Sequence, residues 1–88
     1  MIATLSMFYG IIVRMNYRDG HNPHIHAVYQ GHKASYDFDG NVTAGEPLPR
    51  KRHRILAAWI ELHRDELEAA WTLAMNNEPI HPIAPLPL

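Results

Sequence analysis

Apolar positions alternate with a period of two through the first half of the chain and with a period near 3.6 through the second, so strands should precede a helix. Residues 8–17 (FYGIIVRMNY) predict a strand with Ile11, Val13, Met15 and Tyr17 on one face and Ile12, Arg14, Asn16 and Arg18 on the other. The turn RDGHNP follows, where Gly20, Asn22 and Pro23 each favour non-regular backbone. Residues 24–30 (HIHAVYQ) predict a second strand, its faces formed by Ile25, Ala27 and Tyr29 and by His24, His26 and Val28. Gly31-His32 turns the chain into residues 33–38, where Ala34, Tyr36 and Phe38 alternate with Lys33, Ser35 and Asp37. Asp39-Gly40 is a hairpin signal, because a type I′ turn needs positive φ at both central residues. A short fourth strand is expected at 41–44, which makes residues 1–45 an antiparallel meander.

Pro49 suits the first turn of a helix, and residues 49–77 carry one apolar stripe: Leu56, Trp59, Ile60, His63, Leu67, Ala70, Trp71 and Ala74. Leu56 and Leu67 are separated by about three helical turns, as are Ile60 and Trp71, so the stripe stays in phase across His63-Arg64. One long helix is the simplest reading, and a break would fall near His63. Asn76-Asn77 and Pro79 end it. The tail, residues 78–88, holds four prolines and should run extended. The expected fold is a single α+β domain: a three- or four-stranded antiparallel sheet packed on one face by a long C-terminal helix.

Composition narrows the chemistry. Eighty-eight residues leave room for one core, and 47% apolar with 19% charged residues is ordinary for a globular protein. Cysteine is absent, which removes disulfides, thiolate catalysis and cysteine-based zinc sites. The apolar start, residues 1–13, lacks a basic opening and a small-residue cleavage site, so it does not read as a signal peptide. No run approaches the roughly 18–20 apolar residues of a membrane span. A soluble, cytoplasmic protein without a cofactor is expected.

Seven histidines and one basic cluster supply the candidate chemistry. His24 and His26 share a strand face about 6–7 Å apart, a spacing that permits a shared metal ion or an acid–base pair beside Arg14. A third ligand would come from His63, His21 or Asp19. The faces conflict, however: if Ile25, Ala27 and Tyr29 meet the helix, the two imidazoles point away from His63. The plainer reading makes them polar strand residues that hydrogen-bond a neighbouring loop. His63, inside the helical stripe, reads either as a catalytic imidazole or as a buried neutral ring donating to a backbone carbonyl. Arg50-Lys51-Arg52-His53-Arg54 puts four fixed positive charges at a helix start, where the helix dipole disfavours cations. Arg50, Lys51, Arg52 and Arg54 therefore suggest an anionic partner, either phosphates or an acidic protein surface. The alternative is a solvated face balanced by Glu61, Asp65, Glu66 and Glu68.

The segments FYGIIVRM (8–15), HNPHIHA (21–27), LPRKRHRILAAWIELHRDELEAAW (48–71) and EPIHPIAPL (78–86) cover most of the chain and resemble domain-of-unknown-function family 4160. The matching positions are Phe8, Tyr9, Gly10, Arg14, Met15, His24, His26, Leu48, Pro49, Arg50, Trp59, His63 and Trp71. Where the family usually reads D-H-N-P-P-H, this chain reads Asp19-Gly20-His21-Asn22-Pro23-His24, with one proline in place of two. The resemblance implies a genetic setting: members are often encoded beside domain-of-unknown-function family 2442, in pairs that look like toxin–antitoxin modules. It therefore implies a small protein partner from an adjacent gene, with nucleic acid and self-association left open. The expected function is a component of such a module. The alternative is a small hydrolase or nuclease, with or without a metal, working through His24, His26 and Arg14.

Overall fold

A computed structural model describes residues 2–18, 20 and 22–87. Among them, five strands form one antiparallel meander in chain order: β1 (Ile2–Phe8), β2 (Ile11–Asn16), β3 (His24–Tyr29), β4 (His32–Asp37) and β5 (Val42–Gly45). Two helices follow, α1 (Arg50–Leu62) and α2 (Arg64–Met75). The α+β class and the meander agree with the sequence pattern, but the sheet has five strands where three or four were expected. What reads as one strand over 8–17 is instead the end of β1, a turn at Tyr9-Gly10, and β2.

Two features hide β1 from a period-two reading. Its pairing with β2 shifts between Thr4 and Ser6, so Leu5 and Ser6 are both buried and the alternation breaks. The turn that ends it has Tyr9 at φ 49° and Gly10 at φ 80°, and Gln30-Gly31 repeats this with 43° and 84°. Positive φ at both centres is the type I′ signature, which fits the right-handed twist of paired strands. Asp39-Gly40, expected to be such a turn, is different: among its residues only Gly40 has positive φ. The Asp37 carboxylate explains the longer loop, since its Oδ1 accepts the N–H groups of Asp39 and Asn41, each at 2.9 Å.

One face of the sheet is covered. Ile11, Val13 and Met15 of β2, Ile25 and Ala27 of β3 and Tyr36 of β4 are fully buried beneath the helices. The helical stripe meets them, with Leu56, Trp59, Ile60, Leu67, Ala70, Trp71 and Ala74 all buried. Trp59 packs on Phe8 with ring centroids 5.2 Å apart, and Trp71 meets Phe38 edge-on at 6.5 Å.

The expected single helix is broken at His63, which adopts φ −110° and ψ 22°. The flanking bonds survive: His63 N–H donates to the Trp59 carbonyl at 3.0 Å, and Leu67 N–H to the His63 carbonyl at 2.9 Å. Continuity of the stripe conceals the break, because the apolar phase is preserved across a residue whose own backbone leaves the helical conformation. The break gives α2 its own N-terminus, with Asp65 and Glu66 in its first turn, where the helix dipole favours acids.

The proline-rich tail runs along the free edge of β1 as a strap. Ile80 N–H donates to the Tyr17 hydroxyl (3.0 Å), Ile83 N–H to the Leu5 carbonyl (2.7 Å), and the Tyr9 hydroxyl to the Pro87 carbonyl (3.0 Å). Trp59 Nε1–H reaches the carbonyl of Ala84 at 2.8 Å. Prolines present no N–H outward, so the strap blunts an edge that would otherwise offer a template for pairing. Among the described residues, no helix is long and apolar enough to cross a membrane.

Candidate functional site: the open face of the sheet

Among the described residues, no helix covers the second face of the sheet. Strand pairing aligns Thr4 with Arg14, Arg14 with His26, His26 with Ser35, and Ser35 with Ala44. A single transverse row, Thr4–Arg14–His26–Ser35–Ala44, therefore crosses all five strands. Beside it runs a more apolar row, Met7–Ile12–Val28–Lys33. Met7 and Ile2, both on β1, are among the exposed large hydrophobic residues, at 64% and 58%. Around the first row lies a shallow depression of about 280 Å³, lined by Arg14, Asn16, His26, Lys33 and Ser35 together with Ile2, Val28 and Ala44.

His26 sits at the centre with both ring nitrogens engaged. The Asn16 amide nitrogen lies 3.2 Å from Nε2, and Ser35 Oγ lies 3.3 Å from Nδ1. With the amide donating, Nε2 accepts, the proton resides on Nδ1, and Nδ1–H donates to the serine hydroxyl. This polarity is the reverse of the one needed to activate Ser35, since a general base would have to accept the serine proton. His24 donates from Nδ1 to the Asn22 carbonyl at 2.8 Å, and its ring meets that of His26 edge-on at 5.0 Å.

The expectation that both histidines turn away from the helices holds for His26 and needs correction for His24. His24 stands at the end of β3 beside α2, where its ring packs on Trp71 with centroids 5.3 Å apart. Strand periodicity assigns a face, but at a strand end a large side chain on a neighbouring helix reaches round it. Among the described residues, no three His, Asp or Glu side chains are grouped to hold a metal ion. The further candidates Asp19 and His21 lie outside the described residues.

His63 is occupied elsewhere. Its Nδ1 pairs with Glu66 Oε1 at 2.7 Å and its ring lies 5.4 Å from that of Trp59, so its partner is a carboxylate three residues on, where a backbone carbonyl was expected. The i,i+3 spacing of His63 and Glu66 was the available signal.

The basic cluster divides. Arg50, Lys51 and Arg54 are exposed, whereas Arg52 folds back so that its guanidinium lies 5.0 Å from the centre of the Tyr29 ring. His53 turns inward. Leu48 N–H donates to the buried Tyr36 hydroxyl (3.1 Å), which leaves the tyrosine proton to donate to His53 Nδ1 at 2.8 Å. Burial pushes the Tyr36 phenol above its ordinary value of 10.0, and the Leu48 N–H opposes this in part. Sequence spacing carries no sign of this relay, which joins the start of α1 to the end of β4.

Arg14 and His26 were therefore visible as candidates, whereas Ser35 and Lys33 join them only through strand register. A five-stranded antiparallel meander with two helices on one face defines a small α+β protein. Its family is shown by sequence: residues 10–72 match the model of the family described as Domain of unknown function (DUF4160), and the chain belongs to that family. No curated protein and no solved structure matches it.

Proposed function

We propose that the protein is the recognition component of a toxin–antitoxin-like pair and docks a small protein partner, encoded by an adjacent gene, on the open face of its sheet. The observation that carries this reading is the uncovered face itself. A polar row is flanked by exposed Ile2 and Met7, the mixture of apolar contact and orienting polar groups that protein interfaces use. The histidine geometry supports binding over hydrolysis, because His26 is held on both sides by Asn16 and Ser35. Exposed Arg50, Lys51 and Arg54 offer a second contact for an acidic surface or for nucleic acid.

Co-expression with the adjacent gene product, followed by affinity purification, tests the reading. Co-purification in equal amounts that is lost in Met7→Asp, with Arg64→Gln largely unaffected, is the expected result. Failure to co-purify, or cleavage of RNA or DNA by the isolated chain that is lost in His26→Ala, would turn the reading to the hydrolase.

A further inference from the structure

Among the described residues, the open face is rich in donors and poor in negative charge. Arg14 and Lys33 border the depression, and among the described residues neither forms an ion pair. The acid on the neighbouring strand end, Asp37, spends its Oδ1 on the Asp39 and Asn41 N–H groups. Ser35 Oγ lies 3.3 Å from His26 Nδ1, and a serine hydroxyl, which both donates and accepts, can take a second partner in the depression. Two cations and a hydroxyl thus line a concave site to which no carboxylate among the described residues contributes.

We propose that this depression takes the carboxylate of an acidic side chain from the partner protein, bound between Arg14 and Lys33 above Ser35; the inference rests on the docking reading above. The geometry favours a carboxylate over a phosphate for two reasons. Phosphate sites typically draw on backbone N–H groups at helix N-termini or in nests, whereas most of the lining of this depression belongs to β2, β3 and β4, which are paired on both sides. A guanidinium fork also matches the two coplanar oxygens of a carboxylate. The neighbouring apolar groups, Ile12, Val28 and exposed Met7, would exclude water around the pair once a partner covers them, which strengthens its attraction.

NMR titration of the full chain with glutarate provides the test, with inorganic phosphate and sodium chloride at matched ionic strength as separate arms. Saturable shifts at the amides of Arg14, His26, Ser35 and Ala44 are expected with glutarate and not with chloride. Arg14→Gln should weaken glutarate binding about tenfold. Lys33→Gln should weaken it several-fold and Arg64→Gln, at a residue outside the depression that pairs with Asp39, should leave it unchanged, with melting curves confirming that each variant is folded. The inference is overturned by non-saturating shifts, by binding that neither Arg14→Gln nor Lys33→Gln weakens, or by phosphate binding more tightly than glutarate. The two readings fail separately. Glutarate binding on the row without co-purification of the neighbour keeps the carboxylate site and removes the pair. Co-purification without glutarate binding removes the carboxylate site and keeps the pair.

Discussion

Trp59 and Ala84 stand 25 residues apart in sequence, and the indole Nε1–H of the first donates to the carbonyl of the second at 2.8 Å. One side chain thereby serves two layers: its rings fill the space between α1 and β1, and its polar edge fastens the tail strap. Replacing Trp59 with Ala should cost about 3–5 kcal/mol, a large share of the stability of a domain this small. Trp59→Phe should cost less and act mainly on the strap. Urea unfolding measures the first effect, and faster proteolysis within residues 78–87 measures the second.

Removing residues 79–88 should uncover the outer edge of β1, where the Leu5 carbonyl now accepts from Ile83 N–H. A seven-residue edge carrying exposed Ile2 and Met7 is prone to pair with another chain. The truncated protein should melt at lower temperature and self-associate. Size-exclusion chromatography over a range of concentrations reads this directly, and an unchanged elution volume would contradict it.

Tyr36 predicts an alkaline limit to stability. Its phenol has a raised pKa in the folded protein because burial disfavours the phenolate. Above pH 10 the unfolded chain releases this proton while the folded chain retains it. Stability should therefore be fully present below about pH 10 and fall as pH rises past that value. Tyr36→Phe should remove this part of the alkaline decline. It should also cost about 1–3 kcal/mol at neutral pH, since the Leu48 N–H and His53 Nδ1 lose their shared partner. Denaturant titrations at pH 7 and above pH 10 separate the two effects.

Gly45 should tolerate no side chain. Its φ is +75°, and a Cβ there would stand 2.6 Å from the Lys33 carbonyl oxygen. The left-handed backbone alone costs about 1–2 kcal/mol for Ala, and backbone cannot yield to the contact as a flexible side chain would. Gly45→Ala should lower the melting temperature clearly and loosen β5 from β4. Faster amide exchange at Ser35 and Ala44 is the local readout.

The charge cluster at the start of α1 gives a graded prediction. If Arg50, Lys51 and Arg54 meet an anionic surface, association should weaken as salt rises, and neutralising two of them should flatten that dependence. Arg52 should behave differently, because its guanidinium rests on Tyr29 and its loss removes packing. Binding that ignores both salt and these substitutions would make the cluster a solvated face.

Several features were legible in the residues alone. The alternation of Ile11, Val13 and Met15 with Ile12, Arg14 and Asn16 is the burial pattern of β2, and the helical stripe from Leu56 to Ala74 is the buried face of α1 and α2. Both follow from local geometry, because side-chain direction repeats at a fixed interval along a strand or a helix. β1 escaped because a bulge interrupts that interval at Leu5 and Ser6, and the break at His63 escaped because it left the stripe in phase.

What the sequence determined, then, is which residues face inward within each element, since periodicity is a property of neighbouring residues. Tertiary structure decided which elements' outward residues meet. Arg14, His26 and Ser35 form one row only because three strands pair in a particular register, and Tyr36, Leu48 and His53 form a relay only because α1 starts over β4. The tail, which as an extended proline-rich segment has no pattern of its own, takes its path from Tyr17, Leu5, Trp59 and Tyr9. Each of these contacts joins residues distant in the chain, and their chemistry exists only once the backbone between them has folded.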